Sequence, residues 1–397
     1  MYNKFVVIKY SYNQTTGSYS LTPETITDIY DVQVSQAARD KKDTFNFKIN
    51  NNRNSQNWTF KAQDQVNIHM CLNGASASES NMIMNGMVKK VSEDMTAKKN
   101  ALRIEGVSFG EICTTALVFY DPKNETQNVM EYLYNCLTKG VQVWNSKLTS
   151  STPNAFMITW NSDNPAVKSN GSAFPVFTQA GAKIRDYYKS FNKVLNDYLT
   201  DAYTGDGTYY WYVNNAKELC IRKRKSTTSP LYNWSEGVNF KTGKTSINTE
   251  DIKNFIVVKC GLDLDGNPVS TRYDDFVSRA KNGFRYYMLV DLNITKNLIA
   301  SDSTLANDQL REAARTIGYK KGEEYAKLHN NGYFSIQIVT QPSVTYGLGD
   351  RIDITIPSYA NYNESSGTSL ANKRMIITDI QYTLDSVLFT LEEEGSL

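Results

Sequence analysis

Hydrophobic and polar residues alternate at period two in two stretches of this chain, one near each end, and both stretches follow the same course. In the first, Phe45, Phe47 and Ile49 alternate with polar residues. Phe60-Lys-Ala-Gln-Asp64-Gln-Val66-Asn-Ile68-His-Met70 follows, then an apolar strand from Met87 to Val91 and a closing strand at Leu102 and Ile104. In the second, Phe334, Ile336 and Ile338 alternate in the same way. Tyr346-Gly-Leu-Gly-Asp350-Arg-Ile352-Asp-Ile354-Thr-Ile356 follows, then Met375 to Ile380 and a closing strand from Leu388 to Leu391. Alternation at this period puts one face of a strand in a core and the other in water. Asp64 and Asp350 each end a tight turn, where an aspartate side chain can bond nearby backbone and start the next strand. The pattern predicts one small β-unit built twice.

Between the copies the periodicity changes. Glu125 to Lys139 carries a one-sided stripe of Val129, Tyr132, Leu133, Cys136 and Leu137, which predicts a helix capped by Gly140. Residues 145–180 read as loops with a short strand from Phe156 to Trp160. A helix from Ser190 to Ala202 precedes a hairpin of Tyr209–Val213 and Glu218–Lys223 that turns at Asn214-Asn215. A polar bridge runs from Ser226 to Ile247. Strands follow at Phe255–Cys260 and Tyr286–Val290. The longest helix spans 303–330, with Leu305, Leu310, Ala314, Ile317 and Leu328 inward, and Gly318 and Gly322 mark a close contact along it. A loop over 73–80, rich in Ser, Ala and Gly, reads as mobile. The expected fold class is β-rich α+β. A first β-barrel domain covers 1–115, an α+β middle domain 116–246, and a second β-barrel domain with the inserted long helix 247–397.

Composition sharpens this picture in a few places. A length of 397 residues implies two or three domains. The aromatic share of 12%, with 26 Tyr, favours β-structure and interfaces. A net charge of +2 gives no bulk drive toward nucleic acid or a membrane surface. No run reaches the roughly 18 apolar residues that a membrane span needs. The opening Met1–Tyr10 reads as a strand rather than a secretory signal, so synthesis and assembly in a cytoplasm are expected. Cys71, Cys113, Cys136, Cys220 and Cys260 are odd in number and scattered, so they read as small buried apolar residues rather than a disulfide framework.

The candidate chemistry is thin. Gly237-Val-Asn-Phe-Lys-Thr-Gly243-Lys244-Thr245 approaches a phosphate loop, but it has five residues between its glycines where that loop needs four. Asp263, Asp265 and Gly266 begin like a calcium loop, yet Pro268 and Val269 supply no ligand, so a turn between strands is expected. His69, on the polar face of a strand, and His329, at a helix end, do not converge on a triad or a zinc site. Nothing marks a pair of carboxylates for glycoside hydrolysis. The run Arg222-Lys-Arg-Lys225 reads as a solvated strand end. Tyr209, Tyr210, Trp211 and Tyr212 could stack a base or a sugar, but alternate members are expected to pack on neighbouring helices. The sequence thus assigns no catalytic, cofactor or metal residue, and the expectation is a protein that is not an enzyme.

At this level the chain resembles the baseplate hub proteins of contractile-tailed bacteriophages, which share their fold with the base of the type VI secretion spike. The resemblance rests on order and spacing. It begins with Asp31-Val-Gln-Val-Ser-Gln-Ala-Ala-Arg-Asp40, Phe45-Asn-Phe-Lys-Ile49 and Asp64-Gln-Val66-Asn-Ile68. It continues through Gly86–Val91, Leu102–Gly106 and the helix from Ser190 to Tyr198 with its Tyr-rich hairpin. It ends with the long Ala-containing helix, Pro342, Leu348-Gly349-Asp350-Arg-Ile352, Ile377–Ile380 and Leu391. Gln63 stands where the family has a glycine. The resemblance implies a homotrimeric ring in the virion tail, without membrane insertion, in which two barrels per chain give six. That ring would seat a six-fold tail tube or distal tail protein on one face and a three-fold central spike on the other, beside other baseplate proteins. DNA would pass through it without specific binding. Two alternatives stand beside this: the hub of a non-contractile tail or phage-like injection particle, and a cell-wall hydrolase or carbohydrate-binding protein using the Tyr/Trp surface.

Overall fold

The computed structural model describes residues 3–38, 42–50, 59–95, 100–120, 126–141, 157–165, 176–178, 186, 188–199, 204, 208–224, 230–240, 242–248, 252–329, 333–355 and 373–394. The alternating stretches are strands, as their period requires. The first third holds β1 (Lys4–Tyr10), a small hairpin of β2 (Tyr12–Asn13) and β3 (Ser18–Tyr19), β4 (Glu24–Ile26), β5 (Ile29–Ala37), β6 (Thr44–Asn50), β7 (Gln65–Cys71), β8 (Met82–Met95) and β9 (Asn100–Ser108). The middle holds α1 (Glu111–Thr115), β10 (Thr126–Asn128), α2 (Val129–Asn135), β11 (Thr159–Trp160), β12 (Val176–Thr178), α3 (Phe191–Tyr198), and the hairpin of β13 (Tyr209–Val213) and β14 (Glu218–Lys223). Then come β15 (Tyr232–Ser235) and β16 (Thr242–Asn248). An α/β insertion follows: β17 (Phe255–Leu262), β18 (Pro268–Asp274), α4 (Phe276–Asn282), β19 (Tyr286–Val290), α5 (Asn293–Ser301) and α6 (Asn307–His329). The chain closes with β20 (Tyr333–Thr340), β21 (Arg351–Thr355), β22 (Lys373–Tyr382) and β23 (Val387–Glu393). The fold is β-rich α+β.

The predicted duplication is visible in the hydrogen-bonding order. One unit runs β5-β6-β9-β8-β7-β1 and the other runs β16-β20-β23-β22-β21-β15. Every neighbouring pair has its counterpart, although β1 runs antiparallel to β7 where β15 runs parallel to β21. β8 and β22 each carry a bulge against the closing strand, at Val88/Lys90 and at Ile377/Asp379. The register corrects one sequence reading. Phe45 lies opposite Gly106 and Ile336 lies opposite Leu391, so Phe45 corresponds to Ile336 rather than to Phe334. The two sheets join where β22 pairs with β5, and one apolar cluster fills both, from Phe5 and Val66 to Ile352 and Leu391. β1 and β5 approach each other, but no hydrogen-bonded pair closes either sheet into a barrel among the described strands.

The repeated aspartate turn is the same object twice. Asp64 Oδ2 accepts from the Lys61 amide and Asp350 Oδ2 from the Gly347 amide, each at 2.9 Å. Gln63 and Gly349, at φ 75° and 84°, hold the residue before. Gln63 bonds Val88 as Gly349 bonds Ile377. The missing glycine therefore changed the residue and left the turn. A side chain at such φ costs about 1 kcal/mol, partly offset by the greater unfolded-state freedom of glycine. Gln63→Gly is expected to raise the urea midpoint by a net ~0.5 kcal/mol of stability. Gly349→Gln should lose more than that, because Tyr210 Oη lies 2.7 Å from where its Cβ would sit.

Other sequence expectations change for local reasons. Gly140 does not cap a helix; α2 continues into a wider turn over Cys136–Val141, where Gly140 packs against the backbone of Phe119 and Tyr120. The 73–80 loop is fastened by a capping box between Ser78 and Asn81. The polar bridge supplies β15 and β16, which pair with β21 and β20. The long helix forms as α6 and belongs to the insertion, whose own core includes Ile256, Val258, Ile294 and Ala314. Gly318 and Gly322 let α6 lie on Cys260, Thr271 and Val258 without a side chain between. All five cysteines are buried and free.

Candidate assembly junction between the two sheets

The functional question centres on how the two units are held in one frame. The β13–β14 hairpin adds to the β5–β22 pairing in this. Its sequence alternates, so its two faces serve different neighbours. Tyr209 and Trp211 pack among Phe191, Leu195 and the other residues of the helical core, as expected. Tyr210 and Tyr212 face the other way. They stack at 6.3 Å between ring centroids, and Tyr210 Oη donates to the Gly349 carbonyl at 3.1 Å. The Tyr/Trp cluster is thus a two-sided spacer, with Tyr210 and Tyr212 toward the second unit rather than toward helices.

The turn of the hairpin grips the first unit. Asn215 Nδ2 donates to the Met82 carbonyl and Asn85 Nδ2 donates to the Asn215 carbonyl, both at 2.8 Å. Lys217 Nζ sits 3.8 Å from the Phe109 ring centre and donates to Gln65 Oε1 at 3.2 Å. Burial pushes the Lys217 ammonium down to about 8. The other end of the hairpin grips the second unit. Arg351 donates to Glu394 Oε1 and to the Lys223 carbonyl, both at 2.5 Å. Arg224 lies 3.6 Å from Glu392. The basic run is therefore not a solvated strand end. Arg222 donates to Asn161 and Asn164, and Arg224 is buried at the joint. Lys225 lies outside the described residues.

Asp43 sits where sheets and hairpin meet. Its carboxylate accepts from the Ala37 amide at 2.7 Å, and Ala37 is paired with Asp379 of β22. Burial pushes the Asp43 carboxyl up to about 7, against the pull of its bonds to Ala37 and Ser108; nearby Asp379 adds to the rise. The folded state therefore binds a proton more tightly than the unfolded chain, whose aspartate titrates near 4. Stability is fully present below about pH 4 and is lost as pH rises through about 7. Asp43→Asn keeps an acceptor for Ala37 and removes this loss. Relative to the variant, the native chain is expected to lose about 2–4 kcal/mol between pH 4.5 and 8, read by urea unfolding at both pH values.

The remaining candidates are placed as follows. Gly243, Lys244 and Thr245 lie in β16, and no helix N-terminus that could hold phosphate follows them among the described residues. Asp263 closes a turn through the Asp265 and Asn267 amides and pairs with Arg311 at 2.5 Å. His69 is not on a solvated face. A register shift after Ile68 and the capped loop bury it, with Nδ1 2.9 Å from the Ser78 carbonyl. His329 ends α6, and the environment of its side chain lies outside the description. Asp197 and Asp291 both line a cleft of about 310 Å³ between α3 and α6, which the sequence did not mark. Lys321 bonds Asp291 there. Burial raises the Asp197 carboxyl, against the pull of Lys189 and Lys321. The described residues bring no cluster of three or more His, Cys, Asp or Glu together in a form that could hold a metal ion, and no described helix is long and apolar enough to cross a membrane.

No protein-family model matches this chain, and no curated protein matches it. Solved structures do. The 43 kDa tail protein of prophage MuSo2 from Shewanella oneidensis is 10% identical, with a TM-score of 0.59 over 98% of this chain and 99% of that one. A tail protein from Neisseria meningitidis MC58 is 10% identical, with a TM-score of 0.56 over 99% and 97% of the two chains. Prophage tail protein gp18 from Listeria monocytogenes EGD-e is 13% identical, with a TM-score of 0.54 over 98% and 94%. These identities speak for architecture alone, and on that architecture, from β1 to β23, the chain has the fold of prophage tail proteins.

Proposed function

We propose that this protein is the hub of a phage-type tail baseplate, a structural component of the virion made in the host cytoplasm. Three copies close into a ring around the DNA path. Each copy contributes two related β-units that complete small barrels in the assembly, so the ring offers six similar faces to a tail tube and three to a central spike. The observation that carries the reading is the matched strand order of the two units, with the aspartate turn and bulge repeated in both. A ring of identical subunits needs a heterologous interface on each copy, and a duplicated unit doubles its apparent symmetry without a second gene product. The small net charge of +2 suits a conduit that must release a polyanion. In this reading the junction residues are mechanical: they fix one unit against the other, and the protein has no catalytic or cofactor role.

The test is native mass by light scattering on a sizing column, followed by electron microscopy of end views. The expected result is about three times the chain mass of 44.9 kDa, with six lobes around a central opening. A monomer that also fails to seat on purified tail tubes would overturn the proposal.

A further inference from the structure

The junction of β5 with β22 occurs once in the chain, although both of its partners are duplicated. β22 uses one edge twice. β21 covers that edge over Lys373–Ile376, and β5 then covers it over Asp379–Tyr382. β8, the counterpart of β22 in the first unit, uses the same edge once. β7 covers it from Met82 to Met87, and beyond the bulge Lys90–Glu93 has no strand on that side among the described residues. The counterpart of β5 is β16, since Val34 lies opposite Phe45 and Thr245 lies opposite Ile336. β16 ends its sheet, and its outer edge is also unpaired among the described strands. The core records the same difference. Ile380, flanked by β5, is 0% exposed, whereas its counterpart Val91 packs on the same core and stays partly exposed.

Each chain thus carries one open edge and one open strand, at the two places that match the closed internal junction. In one copy six strands of the continuous sheet stand between β16 and β8. An unpaired edge is a template for a strand of another chain. A contact in which each copy gives one element and receives the other is heterologous, and its repetition closes a ring. We infer that β16 of one copy pairs antiparallel with Lys90–Glu93 of β8 in the next copy, in the register of the internal junction. That register sets Asp379 opposite Ala37 and Gln381 opposite Ser35. Carried across the duplication, it sets Lys90 opposite Asn248 and Ser92 opposite Ser246. The pairing rests on the three-copy ring proposed above. Three junctions within chains and three between them would alternate around it.

The internal junction also says where a disulfide can form. The Ala38 amide donates to the Thr378 carbonyl at 2.9 Å, while the Ala37 amide is taken by Asp43. Ala37 and Asp379, and two residues on Ser35 and Gln381, are therefore pairs that exchange no hydrogen bonds. Such pairs hold their Cα atoms about 4.5 Å apart, within disulfide reach. The full-length variant Ser92→Cys/Ser246→Cys, oxidised mildly with and without purified tail tubes, is expected to run on a non-reducing gel as two- and three-chain species. Ser35→Cys/Gln381→Cys, the same pair inside the chain, should link without a change of mass. The five native cysteines are buried, so neither Ser92→Cys nor Ser246→Cys alone should link. Ser92→Cys/Lys244→Cys, two residues out of register, should link at least ~10-fold more slowly, because diagonal neighbours stand about 7–8 Å apart. Native mass is read by light scattering on each sample. A three-chain particle in which the Ser92/Ser246 variant stays unlinked, links within one chain, or links no faster than the offset variant would overturn the pairing and leave the ring standing. A chain that stays monomeric with and without tubes would overturn both.

Discussion

Val66→Asp and Ile352→Asp are each expected to abolish cooperative folding of the affected unit. Both residues are 0% exposed and occupy matching places on β7 and β21, opposite Gly86 and Met375. Losing a buried aliphatic side chain removes about 1.5–3 kcal/mol. A carboxylate without a partner in the same place costs several kcal/mol more, whether it stays charged or takes up a proton. The sum approaches the whole stability of an ordinary domain, about 5–15 kcal/mol. The chain contains its own control. Asp353, one residue along β21, is tolerated because its side chain points outward and meets Arg374 at 3.3 Å. Asn67→Asp, at the corresponding outward position of β7, should leave the urea midpoint nearly unchanged. If the two core variants unfolded and assembled like the native chain, the inward assignment of these strands would be wrong.

Gly106→Ala is expected to destabilise the first unit by about 3 kcal/mol, at the upper end for overpacking. A methyl group there would meet the Phe45 ring, with Cε1 2.6 Å away, and the Met87 carbonyl. Gly86 also makes room for this ring: its Cβ would lie 2.9 Å from Phe45 Cε1. The second unit solves the same packing problem with the sizes exchanged. There Ile336 replaces the ring, and Met375 and Leu391 stand where the first unit has Gly86 and Gly106. The three positions therefore share one packing space, filled by a ring over two glycines in the first unit and by three mid-sized apolar side chains in the second. Combining Gly106→Ala with Phe45→Ile should recover part of the loss, giving a coupling energy of ~1 kcal/mol or more in a double-mutant cycle. The Met87 carbonyl would keep the recovery incomplete. Strictly additive losses would show that the ring and the glycine do not share a space.

The strands that alternate strongly were legible because one face of each meets a continuous core. Phe45, Phe47 and Ile49 announce β6, and Ile352 and Ile354 announce β21. β15 was not legible because it is an outer strand with a single buried side chain, Trp234, and β16 has one aliphatic residue, Ile247. His69 was misplaced because the register shifts after Ile68, which no residue pattern records. The junction was hidden for a different reason. Asp43, Asn215, Lys217, Arg224 and Glu394 are each unremarkable in their own sequence neighbourhoods, and they acquire a role only when segments some 130 residues apart are brought together, as for Asn85 and Asn215. The Gln63 turn held because the bonds made by Asp64 and Val88 specify its conformation more strongly than the residue at the strained position.

The pairing of β5 with β22 also sets an order of events during synthesis. Ile29–Ala37 leaves the ribosome early, but its partner over Lys373–Tyr382 comes near the end of the chain. Through most of translation that early strand has one open side, which is the period when an unpaired edge invites association with another nascent chain. The insertion shortens the second wait. Its elements from Phe255 to His329 are contiguous and fold on local contacts, and in doing so they bring the end of β16 to the start of β20. The last strands then dock onto a frame already standing, so a truncation just before Lys373 should leave the insertion folded while the open β5 edge drives the whole chain to aggregate.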